Sequence, residues 1–342
     1  MRKAIICGYY GRGNAGDEAL LLALLERLPA PLTPIILSGN PSLTTKNYGV
    51  KSYSRQQIIQ EIWHGKKDDY FIWGGGSLMQ DATSWRSPIF YGGLMKLAQL
   101  KGLITIAYAQ GIGPLNSPFT RWLTKDVLSK CHGVSVRDQA SARLLEQWHI
   151  PHFSAPDPVW ALSAKLNKSL KLPSSPHIGV NLRSHISLTE TKLNTIIDAL
   201  ITLQKNTNAN IILIPFQPQN DLILCQKVAE KLQGKNEIIQ LDNPQELKGI
   251  FREIKMLIGM RLHSIIMGAS EGCNCFALSY DPKVSQLMTE LHIPGIELTA
   301  MGADAHTLAQ QWLNLYTQGE GMGAQKREEL KTSALLHEKL FD

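Results

Sequence analysis

The sequence predicts an α/β protein built as two Rossmann-like, doubly wound domains facing a cleft. Short apolar runs alternate with helix-spaced segments through both halves of the chain. The ends of those runs repeatedly collect glycine, polar and charged residues, as the ligand-facing edge of a parallel sheet requires. A length of 342 residues also exceeds one ordinary core and fits two domains of about 150–180 residues.

Taken in order, Ala4 to Cys7 reads as the first strand and Ala19 to Leu28 as the first helix. Between them runs a glycine-rich loop, Gly8-Tyr9-Tyr10-Gly11-Arg12-Gly13-Asn14-Ala15-Gly16-Asp17-Glu18, whose backbone can approach a phosphate or sugar closely. It is not a dinucleotide fingerprint, because no acidic residue closes the next strand, Pro34 to Leu37. Asp17 and Glu18 fall near the helix start, where they serve either the helix dipole or a site. Arg55 to Trp63 reads as helix and Asp69 to Trp73 as a buried strand. A second permissive loop, Gly74-Gly75-Gly76-Ser77, follows, with Asp81 just beyond.

The rhythm continues with helix Pro88 to Leu100, strand Leu103 to Ala109 closing in Gln110, and helix Phe119 to Ser129. Strand Gly133 to Val136 then meets Arg137-Asp138, which opens the helix Gln139 to Trp148. In the second of these helices Phe119, Trp122, Leu123 and Val127 lie at core spacing, so burial is expected there ahead of membrane docking. Prolines 151, 156, 158, 173 and 176 interrupt the pattern. The expected organisation is domain 1–156, linker 157–176, domain 177–303, and C-terminal helices in 304–342 packing back across the domains.

The second series runs strand Ile178 to Leu182, helix Lys192 to Gln204, strand Ile211 to Ile214, helix Leu222 to Leu232, strand Ile238 to Leu241 and helix Pro244 to Arg252. Strand Met256 to Ile258, a helix from Ser264, strand Cys275 to Ser279 and helix Lys283 to Leu291 complete it. Arg261 and His263 stand where a strand hands over to a helix; one supplies a fixed planar cation and the other a proton near neutral pH. They share a face only if the chain stays extended through His263. Arg183 ends the first strand of this half, on the same expected edge, and two fixed cations suit a small substrate with two anionic groups. Ser279-Tyr280-Asp281-Pro282-Lys283 is a third strand-end cluster, read equally as a turn or a ligand contact.

Composition narrows the field. Hydrophobic content of 44% and charged content of 19% describe a globular chain, and the net charge of +6 favours anionic ligands. No basic run and only 7% aromatics argue against a nucleic-acid groove. The five cysteines read as small buried hydrophobes of a reducing compartment, and no metal site is expected. No stretch is long and apolar enough for a signal peptide or a membrane span, which predicts a cytoplasmic protein, at most peripheral to the inner membrane.

Four motifs in register over residues 3 to 290 resemble the polysaccharide pyruvyl transferase family, closest to its bacterial cell-wall type. They are residues 8–18, Trp73-Gly74-Gly75-Gly76-Ser77, Gln110-Gly111-Ile112-Gly113-Pro114 and Arg261-Leu262-His263-Ser264. The resemblance implies a GT-B-like pair of domains. It also implies transfer of pyruvate from phosphoenolpyruvate, a co-substrate, to a sugar of a cell-surface polysaccharide or its lipid- or nucleotide-linked precursor, as a cyclic ketal, with no cofactor. It places Arg183, Arg261 and His263 in the catalytic site, with Leu262 and Ser264 of the same motif as donor contacts; the strand-end cluster adds Tyr280 and Lys283 as expected donor contacts. Asn14, Gly16, Asp17, Glu18, Gly75, Gly76, Asp81, Gln110 and Arg137 are the expected acceptor-side or supporting residues, with Asp17 and Asp81 as candidate bases. The runner-up is a nucleotide-sugar glycosyltransferase. Its paired glutamates eight apart are missing, since eight residues beyond Glu271 stands Ser279. A non-catalytic sugar-phosphate binding module is the third reading.

Overall fold

A computed structural model of the chain describes residues 2–82, 84–167, 170, 172 and 176–342. Its contacts divide it into two compact units, Met1–Leu162 with Glu329–Asp342, and Ser163–Glu328. Residues 168, 169, 171 and 173–175 of the expected linker lie outside the described residues.

In the first unit the strands are β1 (Arg2–Cys7), β2 (Leu32–Leu37), β3 (Lys51–Tyr53), β4 (Tyr70–Gly76), β5 (Ile104–Gln110), β6 (Gly133–Val136) and β7 (Phe153–Ser154). They form one parallel sheet in the order β3-β2-β1-β4-β5-β6-β7. The second unit holds β8 (His177–Asn181), β9 (Asn210–Leu213), β10 (Asn236–Ile238), β11 (Ile254–Gly259), β12 (Asn274–Ser279) and β13 (Gly295–Glu297). Their order, β10-β9-β8-β11-β12-β13, repeats the same plan. In each sheet the direction of winding reverses beside the first strand. The carboxyl ends of β1 and β4, and of β8 and β11, therefore open a crevice.

Central strands buried on both faces must be apolar throughout, and Ala4 to Cys7 and Met256 to Ile258 all have zero exposure. Alternate side chains of β1 serve opposite faces. Ala4 and Ile6 pack with Leu21 and Leu24 of the helix Ala15–Leu25, whereas Ile5 and Cys7 pack with Phe71, Trp73 and Met95. In the second unit Val180, Ile258 and Phe276 pack with Trp312 of the helix Ala305–Gln318.

Three local expectations change. The first helix starts at Ala15, four residues early, because the Asn14 side chain caps it by accepting the Gly16 N–H at 3.1 Å. A helix at Pro41–Tyr48 and the strand β3 follow β2, where the polar sequence gave no periodic signal. Phe119 and Trp122 are 52% and 61% exposed, not core. Their helix, Pro118–Leu128, buries Thr120, Thr124, Val127 and Leu128 instead. Thr124 can go inside because its hydroxyl donates to the Thr120 carbonyl at 2.7 Å.

The C-terminal segment Leu335–Phe341 lies against β5 and β6 of the first unit. His337 is fully buried there; Nε2 donates to the Pro156 carbonyl at 2.9 Å, so neutral Nδ1 accepts from the Ser135 hydroxyl at 2.9 Å. Burial pushes its pKa down to about 4 from the usual 6.5. The unfolded imidazole gains a proton below about pH 6.5 and the buried one does not until about 4, so stability is complete above that window and falls within it. Urea melts should show the native chain losing about 2 kcal/mol relative to a His337→Gln variant between pH 7 and pH 5. Parallel pH profiles for the two proteins would rule the coupling out.

Candidate functional site

The candidate residues of the second unit gather at the carboxyl ends of β8 and β11. Asn181, the last residue of β8, is fully buried: its amide donates to the Ile214 carbonyl at 2.8 Å and its Oδ1 accepts the Arg261 N–H at 3.1 Å. Arg261 is N-cap of the helix Leu262–Ser270, in extended backbone conformation. The helix therefore begins before His263, and the extended face that would bring Arg261 and His263 together is not formed. His263 occupies the first turn, half-buried, where helix N–H groups point outward to an anion.

Arg261 is 6% exposed and committed to a partner that sequence reasoning did not find. Its Nε and Nη2 donate to the two oxygens of the fully buried Asp221 at 2.9 and 2.7 Å, and Nη2 also donates to Gln217 Oε1 at 3.3 Å. Asp221 Oδ2 further accepts the Gln217 N–H at 2.9 Å. Only Nη1 of the guanidinium carries no hydrogen bond among the described residues. Arg261 is thus first a buried strut and not a free anion clamp. Ser264 is turned inward as well, its buried hydroxyl donating to the Arg261 carbonyl at 2.7 Å, so that side chain is spent. Leu262 is half-buried beside them.

Arg183 leaves the neighbouring strand end on the same edge, its N–H 3.3 Å from Met260 Sδ. Its guanidinium lies 5.2 Å above the Tyr280 ring while Nη1 donates to the Tyr280 hydroxyl at 2.7 Å. On that ring rests His185, centroids 4.7 Å apart, another residue absent from the sequence expectation. Desolvation, and then Arg183, lower the His185 pKa, which keeps the ring neutral at pH 7. Asp281 caps the helix Pro282–Leu291 by accepting the Lys283 N–H at 3.0 Å, which satisfies the turn reading; the Lys283 side chain is half-buried.

In the first unit the glycine-rich loop is tied down by Glu18. That buried carboxylate accepts the Gly11 N–H at 2.7 Å and the Tyr48 hydroxyl at 2.8 Å, and burial raises its pKa against those hydrogen bonds. Gly11 has φ +68° and a Cβ there would stand 2.0 Å from Ser38 Oγ, so no other residue fits. The Tyr10 hydroxyl donates to the Gly74 carbonyl at 2.7 Å, and a Cβ on Gly74 would strike that hydroxyl. Gly75 and Gly76 take φ of +96° and +92°; a Cβ on Gly76 would lie 3.5 Å from Asp17 Oδ1. Asp17 thus sits at the β1–β4 crevice, and its charge helps to raise the pKa of the buried Tyr10 and Tyr91. Beside it a cavity of about 340 Å³ is lined by Tyr9, Tyr10, Arg12, Ser38, Arg55 and Tyr91 among others. Arg12 and Arg55 are exposed, stack on Tyr9 and Phe90, and pair with no carboxylate among the described residues.

The remaining residues expected on the acceptor side are engaged within the first unit. Asp81 accepts the N–H groups of Asn116 and Ser117 at 2.8 Å each. Desolvation works to raise its pKa, yet those bonds hold it below the usual carboxylate value, so it is a poor base. Arg137 makes a buried ion pair with Asp157 at 2.6 Å and reaches Ser77 Oγ at 3.3 Å. The buried Gln110 donates to the Tyr108 carbonyl at 2.8 Å inside the sheet edge. Asn14 and Gly16 make the helix cap. A polar Asn181 inside an apolar strand was the one signal in the sequence for the missed network; Asp221 and Gln217 look like ordinary helix-start residues.

No curated protein has a sequence that matches this chain. Among solved structures, UDP-GlcNAc 2-epimerase from Methanocaldococcus jannaschii superposes with a TM-score of 0.69 at 12% identity, covering 100% of this chain and 99% of that one. The Neisseria meningitidis UDP-GlcNAc 2-epimerase bound to UDP-GlcNAc gives 0.65 at 10% identity, covering 100% of both. A glycosyltransferase from Rickettsia africae gives 0.52 at 14% identity over 99% and 93%. These likenesses show a shared GT-B-type α/β fold and nothing finer. The sequence model of the polysaccharide pyruvyl transferases, by contrast, matches residues 14–282, which take in the end of the first glycine loop, the whole of the second and the Arg261–Ser264 segment. This chain belongs to the polysaccharide pyruvyl transferase family.

Proposed function

We propose that this transferase moves the pyruvyl group of phosphoenolpyruvate onto two hydroxyls of a sugar acceptor. One hydroxyl oxygen bonds to C2 as the C3 methylene takes a proton and becomes methyl. The second hydroxyl oxygen then bonds to C2 as the C–O bond to phosphate breaks, and its proton leaves with the phosphate. The two protons lost by the sugar account for both transfers, so no oxidant or cofactor is needed.

The observation that carries this reading is the β8–β11 edge, where Arg183, a helix N-terminus and His263 adjoin one another on a single sheet edge. A donor with a carboxylate and a phosphate suits a bidentate cation and a row of outward N–H groups. His263 is assigned the proton for C3 and Arg183 the anion contact. Arg261 holds the strand end in place and offers Nη1 alone. On the acceptor side Asp17 is assigned as base, since Asp81 is occupied by two backbone amides. Arg12 and Arg55 of the first unit's cavity, which pair with no carboxylate among the described residues, suit an acceptor sugar carried on a phosphate-bearing precursor.

A thermal-shift comparison of phosphoenolpyruvate with UDP-sugars tests the donor: stabilisation by UDP-sugars alone would favour a nucleotide-sugar glycosyltransferase. His263→Ala should lower phosphate release in the presence of a glycan acceptor by about 10²–10⁴-fold with the fold intact, and near-normal turnover would remove it from the mechanism. Arg183→Ala should leave the melting temperature within a degree or two and raise KM for the donor about tenfold or more. Asp221→Asn should instead destabilise the second unit by about 3–5 kcal/mol, because the buried Arg261 loses its counter-charge. A stable Asp221→Asn protein with ordinary urea unfolding would refute the strut assignment.

A further inference from the structure

We propose that the first unit docks on an anionic lipid membrane through the amino-terminal ends of the helices Arg86–Leu100 and Pro118–Leu128. Trp85, Ile89, Phe119 and Trp122 are 64%, 41%, 52% and 61% exposed, a grouping of large apolar side chains that a water-facing surface does not need. The two helices lie side by side. Lys96 meets Asp126 at 2.5 Å, Gln99 donates to the Val127 carbonyl at 2.7 Å, and a Cβ on Gly92 would meet Leu123 at 2.9 Å. One turn earlier in that register Ile89 comes level with Phe119, whose ring stands 5.9 Å from that of Trp122.

Charge selects the occupant. Arg86 stacks on Trp85 at 5.4 Å, Arg121 on Trp148 at 5.4 Å, and Lys125 is exposed. The chain carries no Asp or Glu between Asp81 and Asp126, and Asp126 itself is engaged by both Lys96 and Lys130. Asp81 stands at the amino end of Pro118–Leu128, but its two oxygens are taken by the Asn116 and Ser117 amides and its charge is offset by the positive end of that helix. Tryptophans flanked by arginine and lysine therefore match a headgroup layer that is negative outside and apolar beneath. A second copy seated here would set these cations against their own counterparts. Among the described residues no helix is long and apolar enough to cross a membrane, so the contact is peripheral. Both helices follow directly from β4 and β5, so their amino ends lie at the same sheet edge as the glycine loops. A membrane on this patch therefore meets the first unit at that edge.

Co-sedimentation of the full chain with vesicles tests this independently of any transfer activity. Binding to phosphatidylcholine vesicles containing phosphatidylglycerol should exceed binding to phosphatidylcholine alone by about tenfold or more and should weaken with added salt. A Phe119→Ser/Trp122→Ser double variant should lose about tenfold in partition while keeping its melting temperature, and Arg121→Glu/Lys125→Glu should lose a similar factor on anionic vesicles only. Failure of the unaltered chain to bind anionic vesicles at low salt overturns the proposal. So does equal binding by both variants, or a concentration-dependent dimer that the same substitutions abolish in the absence of vesicle binding.

Discussion

The buried pair between Arg261 and Asp221 is the constraint on which the second unit's edge depends. Arg261 stands at the point where β11 ends and a helix begins, and its backbone N–H is held by Asn181 from the neighbouring strand. Its side chain reaches the start of the helix Pro218–Lys231 through Asp221. Three strand ends, those of β8, β9 and β11, are thereby joined by hydrogen bonds from Asn181 and Arg261. A buried ion pair is weak support for stability as such, since desolvating two charges offsets most of their attraction. Its value here is positional: the geometry of a two-pronged guanidinium against a carboxylate admits one arrangement of that edge.

This has an electrostatic consequence. Asp221 cancels most of the Arg261 charge at the distance of a ligand, so an anion at this edge depends on Arg183 and on the helix N-terminus, equivalent to about half a positive charge. Arg183 is itself oriented, between the Tyr280 ring face and the Tyr280 hydroxyl, and neutral His185 supports that ring from the other side. The side chain is held ready instead of searching rotamers, which lowers the entropy lost on binding.

Much of this architecture could be read from residues alone. Parallel strands covered on both faces must be apolar along their length, so Ala4 to Cys7 and Met256 to Ile258 announced themselves, and the polar ends of those strands marked the edge. What could not be read was pairing. Asp221 is separated from Arg261 by 40 residues and Asp157 from Arg137 by 20, and nothing local distinguishes either acid from a helix cap. Helix periodicity misled at Phe119 and Trp122 because hydroxyls count as polar until they find a carbonyl. Thr124 found one, so a stripe of threonine and valine went inside and the aromatic stripe went out. Glu18, read as a dipole complement or a site residue, is buried because the turned glycine loop exposes a backbone amide that needs an acceptor.

The two edges use one device to opposite effect. In each, a buried carboxylate fixes the chain beyond the first or fourth strand: Glu18 grips the Gly11 amide, and Asp221 grips the Arg261 guanidinium. The first carboxylate leaves a loop of close-packed glycine backbone with Asp17 beside it, where neutral hydroxyls can approach an acceptor oxygen without a desolvated cation in the way. The second neutralises one arginine and leaves the other, oriented on tyrosine, as the edge's standing positive charge. The proposed joining of sugar hydroxyls to an anionic donor calls for such a difference in charge between a hydroxyl-binding and an anion-binding edge. The asymmetry follows from what each carboxylate holds and from no change in fold, since the strand orders of the two sheets are the same apart from the additional β7.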